Sequence, residues 1–341
     1  MKAVVKVRPE PGVEVLDVPV PEAGRGEALI RVRAAAICGS DLGIYDYTPA
    51  YSRMRLPVVL GHEFAGEVID VGPGVGGFGV GDRVLSESVR ACGSCRYCGE
   101  GLPNLCEAST LFGIHVDGGF AEYVAVPKGL LHGVPDGMSY DEAALVEPLS
   151  NAHHFVSDIT PIRRGSFAVV HGVGPIGLFS AQLLRLAGAE VLVTGIGVDS
   201  ERFRIARGLG LEAVNVEEED LEETVTERTR GRGADVAIVA VGATSALIQA
   251  TRVVRKGGHV TLVGIFPGAV ELPLTEVVRR EVVIAGAYDA RPENFERAIE
   301  LIRSGSVAAA DLITHRFSLE KAKEAFEVAK SRRGCKVLFK P

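Results

Sequence analysis

Val169-Val170-His171-Gly172-Val173-Gly174-Pro175-Ile176-Gly177 reads G-x-G-x-x-G between an apolar strand, Ser166 to Val170, and residues at helical spacing, Ile176, Phe179, Leu183, Leu184 and Ala187. The first glycine permits a tight turn, the second lets backbone approach a pyrophosphate, and the third lets helix and strand pack closely. The helix then turns its free N–H groups and positive dipole end toward the phosphates. The motif alone is a weak signal. Its strand–turn–helix setting favours a dinucleotide-binding turn over a glycine-rich turn in an empty domain. Gly172, Gly174, Pro175, Ile176 and Gly177 are expected at the cofactor, together with Val241 and Gly242 just past a later strand.

The next strand, Val191 to Thr194, should end in an acid that grips the adenosine ribose of NAD. It runs instead into Gly195-Ile196-Gly197-Val198-Asp199, so the acidic position is Gly195 and Asp199 comes four residues late. Loss of the acid leaves room for a 2′-phosphate, which Arg202 or Arg204 would meet. Both arginines also read as surface helix residues, and Asp199 would repel a phosphate. NAD and NADP both stay open.

The pattern continues with helices near Glu201 to Leu209 and Leu221 to Thr229 and strands at Asp235 to Ala240, His259 to Ile265 and Val282 to Gly286. Such alternation implies a parallel sheet covered on both faces. Upstream, residues 1 to about 150 read as short strands broken by Gly and Pro, as at Val71-Gly72-Pro73-Gly74. Glu27 to Ala34 alternates, with Ala28, Ile30, Val32 and Ala34 on one face. This implies a barrel-like or sandwich-like β domain. The tail adds helices near Glu293 to Arg303 and Ser318 to Lys330 and a strand, Lys336 to Phe339.

At 341 residues, 47% hydrophobic, the chain favours two domains with sizeable cores. A net charge of −7 argues against a nucleic-acid partner. The N-terminus lacks an apolar signal core, so a cytoplasmic location is expected. Residues 167 to 184 carry no charge, but Gly172, Gly174, Pro175 and Gly177 interrupt them, which fits strand, turn and helix rather than a membrane span.

Four of the six cysteines lie in fifteen residues: Cys92, Cys95, Cys98 and Cys106, spaced C-x2-C-x2-C-x7-C. Four thiolates saturate a tetrahedral zinc and leave no open position, the mark of a structural site. The common iron–sulfur run has a last gap of three followed by Pro; here the gap is seven and Glu107 follows. A second set is dispersed: Cys38 before Gly39-Ser40-Asp41, His62-Glu63 after Gly61, and Glu147 before Pro148. Each of these alone reads as an ordinary structural residue.

Taken jointly, the chain resembles the zinc-dependent medium-chain alcohol and polyol dehydrogenases, a family that includes sorbitol and threonine dehydrogenases. The matching pieces are Cys38-Gly39-Ser40-Asp41, Gly61-His62-Glu63-Phe64-Ala65-Gly66, Val80-Gly81-Asp82-Arg83, the four-cysteine loop, Asp117-Gly118-Gly119-Phe120-Ala121-Glu122-Tyr123, Glu147-Pro148-Leu149-Ser150-Asn151-Ala152 and the Gly172 turn. They run in family order and cover nearly the whole chain. The resemblance implies an α/β chain with a GroES-like β-rich catalytic domain, residues 1–152 and 288–341, and a doubly wound Rossmann domain, residues 153–287. It implies two zinc ions, one structural and one catalytic, and NAD or NADP.

By the same resemblance Cys38, His62 and Glu63 hold the catalytic zinc, and Glu147 is a fourth ligand or a partner of the bound water. Ser40 hydrogen-bonds the substrate hydroxyl and passes its proton on, Asp41 orients His62, and Lys336 pairs with a carboxylate near the metal. Many relatives carry a relay His where this chain has Gly43; His115, His153 and His154 are alternatives by side-chain chemistry only. Tyr45, Tyr47, Tyr51, Arg53, Phe112 and His115 fall where pocket residues arise. Glu63 with Glu147 is the pattern of the polyol, sugar and threonine branches. The implied reaction is hydride transfer from a secondary hydroxyl of a polyol or sugar derivative to NAD(P)+, with L-threonine 3-dehydrogenase as the nearest alternative. Readings of other kinds are a catalytically silent zinc- and nucleotide-binding protein and a zinc-free reductase. A homodimer or homotetramer joined at the last strands of the Rossmann sheet is expected from the family, and Cys335 reads as an inert thiol.

Overall fold

The computed structural model describes residues 1–341. The chain forms two compact units, Met1–Ser150 with Arg291–Gly305 and Leu312–Pro341, and Asn151–Ala290 with Ser306–Asp311. The short segment Ser306–Asp311 is tied to the second unit by Ala308 N–H, which donates to Gln182 Oε1 at 2.9 Å.

The first unit is built around the ten-residue strand Glu27–Ala36, whose buried residues include Ala28, Ile30, Val32, Ala34, Ala35 and Ala36. Alternation with exposed Arg31 makes one face apolar, and the run of small alanines at its end lets neighbouring chains approach closely. Three strands pair with it: Glu63–Val71, Tyr123–Pro127 and Lys336–Phe339, all antiparallel. Arg83–Ser86, Leu131–Gly133 and Ile313–Phe317 complete a seven-stranded sheet, and Lys2–Lys6 joins Glu14–Asp17 and Val58–Val59 in a smaller one. The core contains Phe64, Phe112, Phe120, Phe326 and Phe339. Phe120 meets Phe339 edge-on at 4.9 Å, a favourable aromatic geometry.

The second unit is a six-stranded, all-parallel sheet. Its spatial order is Glu212–Asn215, Glu190–Gly195, Phe167–His171, Ala234–Val239, Val254–Leu262, Val283–Gly286. In chain order this is 3-2-1-4-5-6, the doubly wound arrangement whose direction reverses between the first and fourth strands. Phe167–His171 is buried throughout, as a central parallel strand must be. The uncharged segment from residue 167 is this strand, the Gly172 turn and the helix Pro175–Leu186. No helix is long and apolar enough to cross a membrane. The strand Glu212–Asn215 and the helices Thr244–Val253 and Leu274–Arg279 go beyond the elements that the sequence pattern predicts.

His171 ends the central strand, 1% exposed, with Nδ1 3.4 Å from Thr194 Oγ1 and no partner for Nε2. Burial alone pushes its pKa down to about 4. The unfolded imidazole titrates near 6.5, so the unfolded chain binds a proton first as pH falls. Stability is held above about pH 6.5 and drains away toward pH 4. Between pH 7 and pH 5 this residue should cost about 2 kcal/mol. Urea unfolding of His171→Leu should show a loss over that range smaller by about that amount than wild type; equal losses would contradict the assignment.

Candidate active site

Two groups of metal-competent side chains lie in the first unit. In the first group the ligand atoms of Cys38, His62 and Glu63 all lie within 4.8 Å of one another. Sheet register accounts for this. Ala36 pairs with Glu63 across the strands Glu27–Ala36 and Glu63–Val71, so Cys38, two residues past one strand, meets His62, one residue before the other. Leu338 also pairs with Ala36, which places Lys336 beside the same point. Gly61 turns the chain into His62 at φ 93°, and a Cβ there would lie 2.2 Å from the Phe120 ring, so only glycine fits.

Cys38 precedes the helix Gly39–Tyr45, and its N–H donates to Asp41 Oδ2 at 2.9 Å. The other oxygen, Oδ1, sits 3.8 Å from His62 Nδ1, which leaves Nε2 as the metal-binding nitrogen. Ser40 Oγ is 3.5 Å from His62 Nε2. Lys336 Nζ donates to Glu63 Oε2 and, at 3.3 Å, to Ile37 O. Three buried polar atoms, Asp41 Oδ1, His62 Nδ1 and Glu63 Oε1, have no hydrogen-bond partner. Such a concentration is costly in a finished core and fits a place shaped for a cation.

Burial raises the Asp41 pKa. Burial, reinforced by Glu147 and opposed by Lys336, lifts Glu63 to about 7. Burial acts against a charged His62, but Asp41, Cys38 and Glu147 outweigh it and raise its pKa well above the usual value. The site sets the carboxyls of Asp41, Glu63 and Glu147 against two cationic partners, His62 and Lys336. Glu147, 4% exposed in the first turn of the helix Val146–His153, acts on this group electrostatically but lies outside the three-residue ligand set.

The second group is Cys92, Cys95, Cys98 and Cys106. Their sulfurs stand 4.0 Å apart for Cys92–Cys98, 3.5 Å for Cys95–Cys98 and 3.8 Å for Cys95–Cys106. Four thiolates at about 2.3 Å from a tetrahedral zinc lie about 3.8 Å from each other, whereas a disulfide requires about 2.05 Å. The cage therefore has zinc dimensions. The backbone N–H of Ser94 and its hydroxyl, with Cys95 N–H, hold the Cys92 thiol down to about pKa 6, which favours the thiolate a metal needs. Burial and the neighbouring Cys95 push Cys98 up to about 11.

In the second unit the glycine turn sits at the sheet's switch point. Gly172, at φ 111°, donates to Thr194 O at 2.8 Å, and a Cβ on it would strike Val241 at 2.5 Å. A Cβ on Gly177 would lie 1.8 Å from Gly172 O, and one on Gly242 2.0 Å from Ile265 O. Gly174 caps the helix Pro175–Leu186, with Pro175 in its first turn. Gly172, Gly177 and Gly242 thus let the turn, the helix and the neighbouring chain pack closely, while Gly174 leaves open space at the helix N-terminus, the form that receives a pyrophosphate.

Other sequence candidates scatter. Phe112 is buried against Phe64 in the core, and half-buried Tyr45 stacks on Phe326 at 5.0 Å against that core. Tyr51 lies over Gly43, 2.6 Å from where a Cβ would be. Arg53 is exposed. His115 Nδ1 accepts from Leu111 N–H, and His154 pairs with Asp158 at 2.8 Å. Cys335 is buried.

Residues 24–136 match the model of the alcohol dehydrogenase GroES-like domain, and residues 175–304 that of the zinc-binding dehydrogenases. A sorbitol dehydrogenase of Halalkalibacterium halodurans is 36% identical, with 100% of this chain and 99% of the relative covered. An L-threonine 3-dehydrogenase of Shewanella woodyi is 34% identical over 99% of each. Among solved structures, a protein of Sinorhizobium meliloti 1021 described as a zinc-binding dehydrogenase and bound to NADP superposes with a TM-score of 0.91 at 32% identity, covering 100% of this chain and 99% of that one. The chain belongs to the zinc-dependent medium-chain alcohol dehydrogenase family. It is a dehydrogenase with a GroES-like domain and a Rossmann-like nucleotide-binding domain.

Proposed function

We propose that the protein oxidises a secondary hydroxyl of a polyol or sugar derivative, passing hydride to a nicotinamide dinucleotide. The observation that carries this reading is the converging Cys38–His62–Glu63 group, present together with a fully built four-thiolate cage. Cys38, His62 and Glu63 would hold the catalytic zinc, and Cys92, Cys95, Cys98 and Cys106 the structural one. When bound, zinc supplies Lewis-acid polarisation of the alcohol, and the dinucleotide supplies the hydride acceptor. Asp41 fixes the tautomer and tilt of His62 through Nδ1. Ser40, two residues past Cys38 and 3.5 Å from His62 Nε2, is placed to accept a hydrogen bond from the substrate hydroxyl and to relay the proton onward, releasing its own as it accepts. Lys336 balances Glu63 and keeps the carboxylate turned into the group.

A site with three carboxylates, Asp41, Glu63 and Glu147, favours substrates rich in hydroxyl donors or bearing an ammonium. L-Threonine is the second reading, favoured by those same carboxylates. The outermost strand of the parallel sheet, Val283–Gly286, with exposed Val278, Val283 and Tyr288 around it, supports assembly as a homodimer.

Absorbance at 340 nm with sorbitol, galactitol, sugar acids, L-threonine and benzyl alcohol, each with NAD+ and NADP+, tests the proposal. Polyols or sugar derivatives should give the highest kcat/KM. Turnover of L-threonine alone would move the assignment to the second reading, and turnover of none would remove both.

A further inference from the structure

We infer that Lys6 is a positioning residue for the reaction. Its buried ammonium ties the helix that carries Ser40 and Asp41 to the strand pair that leads into His62, and so fixes Ser40 against the metal group. This deepens the reading of Ser40 as the proton relay and rests on it.

The helix Gly39–Tyr45 is only seven residues long, and its reactive side chains lie at the N-terminal end. Cys38 is the N-cap, Ser40 and Asp41 stand in the first turn, and Asp41 faces His62. The last turn carries no basic residue of its own. A cation arrives there from outside: Lys6 Nζ donates to Tyr45 O at 2.9 Å, where the helix dipole is negative. The same ammonium donates to Glu10 O at 2.5 Å and to Gly12 O at 3.0 Å, so all three of its protons are used. Gly12 N–H adds a second bond to Tyr45 O at 2.9 Å, and the Tyr47 ring lies 5.7 Å from Nζ. Lys330 also approaches this end, over the Tyr45 ring at 4.9 Å, but it is partly exposed and pairs with the Asp46 carboxylate.

Lys6 also ends the strand Lys2–Lys6, where Val5 and Lys6 pair with Val59 and Val58. Leu60 N–H donates to Val4 O at 3.0 Å, and His62 follows two residues later. The two segments that meet at the site, 38–45 and 58–62, are thus both registered on this one strand. The distance of 3.5 Å from Ser40 Oγ to His62 Nε2 spans them. Lys6 is wholly inaccessible to water. An ammonium is costly to bury, and a methionine would fill much of the same space without that cost. What the charge adds is a directed grip on the end of a helix under two turns long. A tilt of so short a lever moves both of its ends, and a misplacement of about 1 Å at a reacting group costs about 100-fold in rate.

Kinetics of Lys6→Met on the most active alcohol of the 340 nm panel, expressed per chain that binds reduced cofactor, test this. kcat should fall about 10-fold with KM within about twofold of wild type, and zinc should stay at about two ions per chain. A lysine that served stability alone would lower the urea midpoint and leave kcat of the folded chains unchanged. Ser40→Ala should itself lower kcat, and adding Lys6→Met to it should cost less than about twofold more, because both changes remove the same relay geometry. Unchanged kcat in Lys6→Met, or the same loss in both backgrounds, would overturn the inference and leave the Ser40 reading standing. Full kcat in Ser40→Ala would remove the relay reading and this inference together. Amide hydrogen exchange reads the same claim without turnover: residues 39–45 should exchange about 10-fold faster in Lys6→Met, and rates equal to wild type there would overturn it. Should Lys6→Met fail to fold, Lys6→Gln, which keeps a donor for the carbonyls, carries the test. Its kcat should fall about threefold, and no fall, or the same fall in the Ser40→Ala background, overturns the claim.

Discussion

Cys38→Ala should lower kcat/KM for alcohol oxidation by at least about 1,000-fold while leaving the fold intact. The substitution removes one of three converging ligands from the open group and touches none of the four sulfurs in the loop. Lewis-acid catalysis is worth several kcal/mol, and each 1.36 kcal/mol is about tenfold in rate. Zinc content should fall from about two ions per chain to about one, since a saturated four-thiolate site does not depend on Cys38. Circular dichroism and cofactor binding should match wild type. Retained activity within tenfold, or loss of both ions at once, would refute the division into one working and one supporting site.

Lys336→Met should be the most damaging single change to stability, about 3 to 5 kcal/mol. Lys336 and Glu63 are both essentially inaccessible to water, and the lysine also binds Ile37 O. Burial disfavours the ammonium, yet Glu63 and Cys38 overcome that and raise its pKa, so Lys336 stays charged, while Glu63, lifted to about 7, is ionised in part at neutral pH. Removing the lysine strands a carboxylate among Asp41 and Glu147 with its Oε1 already lacking a partner. The paired change Lys336→Met with Glu63→Gln removes the stranded charge and should recover most of the loss in urea denaturation of metal-free protein. A double variant no more stable than the single one would show that packing, not charge, was lost.

What can be read from the sequence divides along the reach of the interactions. The four cysteines and the Gly172 turn are legible because their partners lie within fifteen residues, and spacing alone constrains the geometry. The helix Leu221–Thr229 is equally legible: Asp220 caps it by accepting from Glu222 and Glu223 N–H. The Cys38, His62 and Glu63 set is legible through family resemblance, not through spacing, because a register between strands brings the residues together. By type alone Tyr45 and Phe112 suit a pocket or a core; packing places Phe112 in the core and Tyr45 against it. Asp199 is displaced by the count along the chain, which cannot show that a one-turn reversal carries its carboxylate back to Gly195. The helix Thr244–Val253 has no capping side chain at Ala243 to mark its start; buried Leu247, Ala250 and Val253 reveal its packed face.

The strand Glu27–Ala36 is the hub to which three antiparallel neighbours are laced, and the open metal group hangs on its end. Its ligands come from both sides of that lacing, with Lys336 contributed by a strand some three hundred residues away. The cysteine cage, by contrast, closes on itself within the segment from Cys92 to Cys106. The two sites therefore answer to different parts of the protein. Grip at the loop is a local property, whereas grip at the open site is a reading of whether the whole sheet is assembled, and chemistry is lost at the first slippage of its strands.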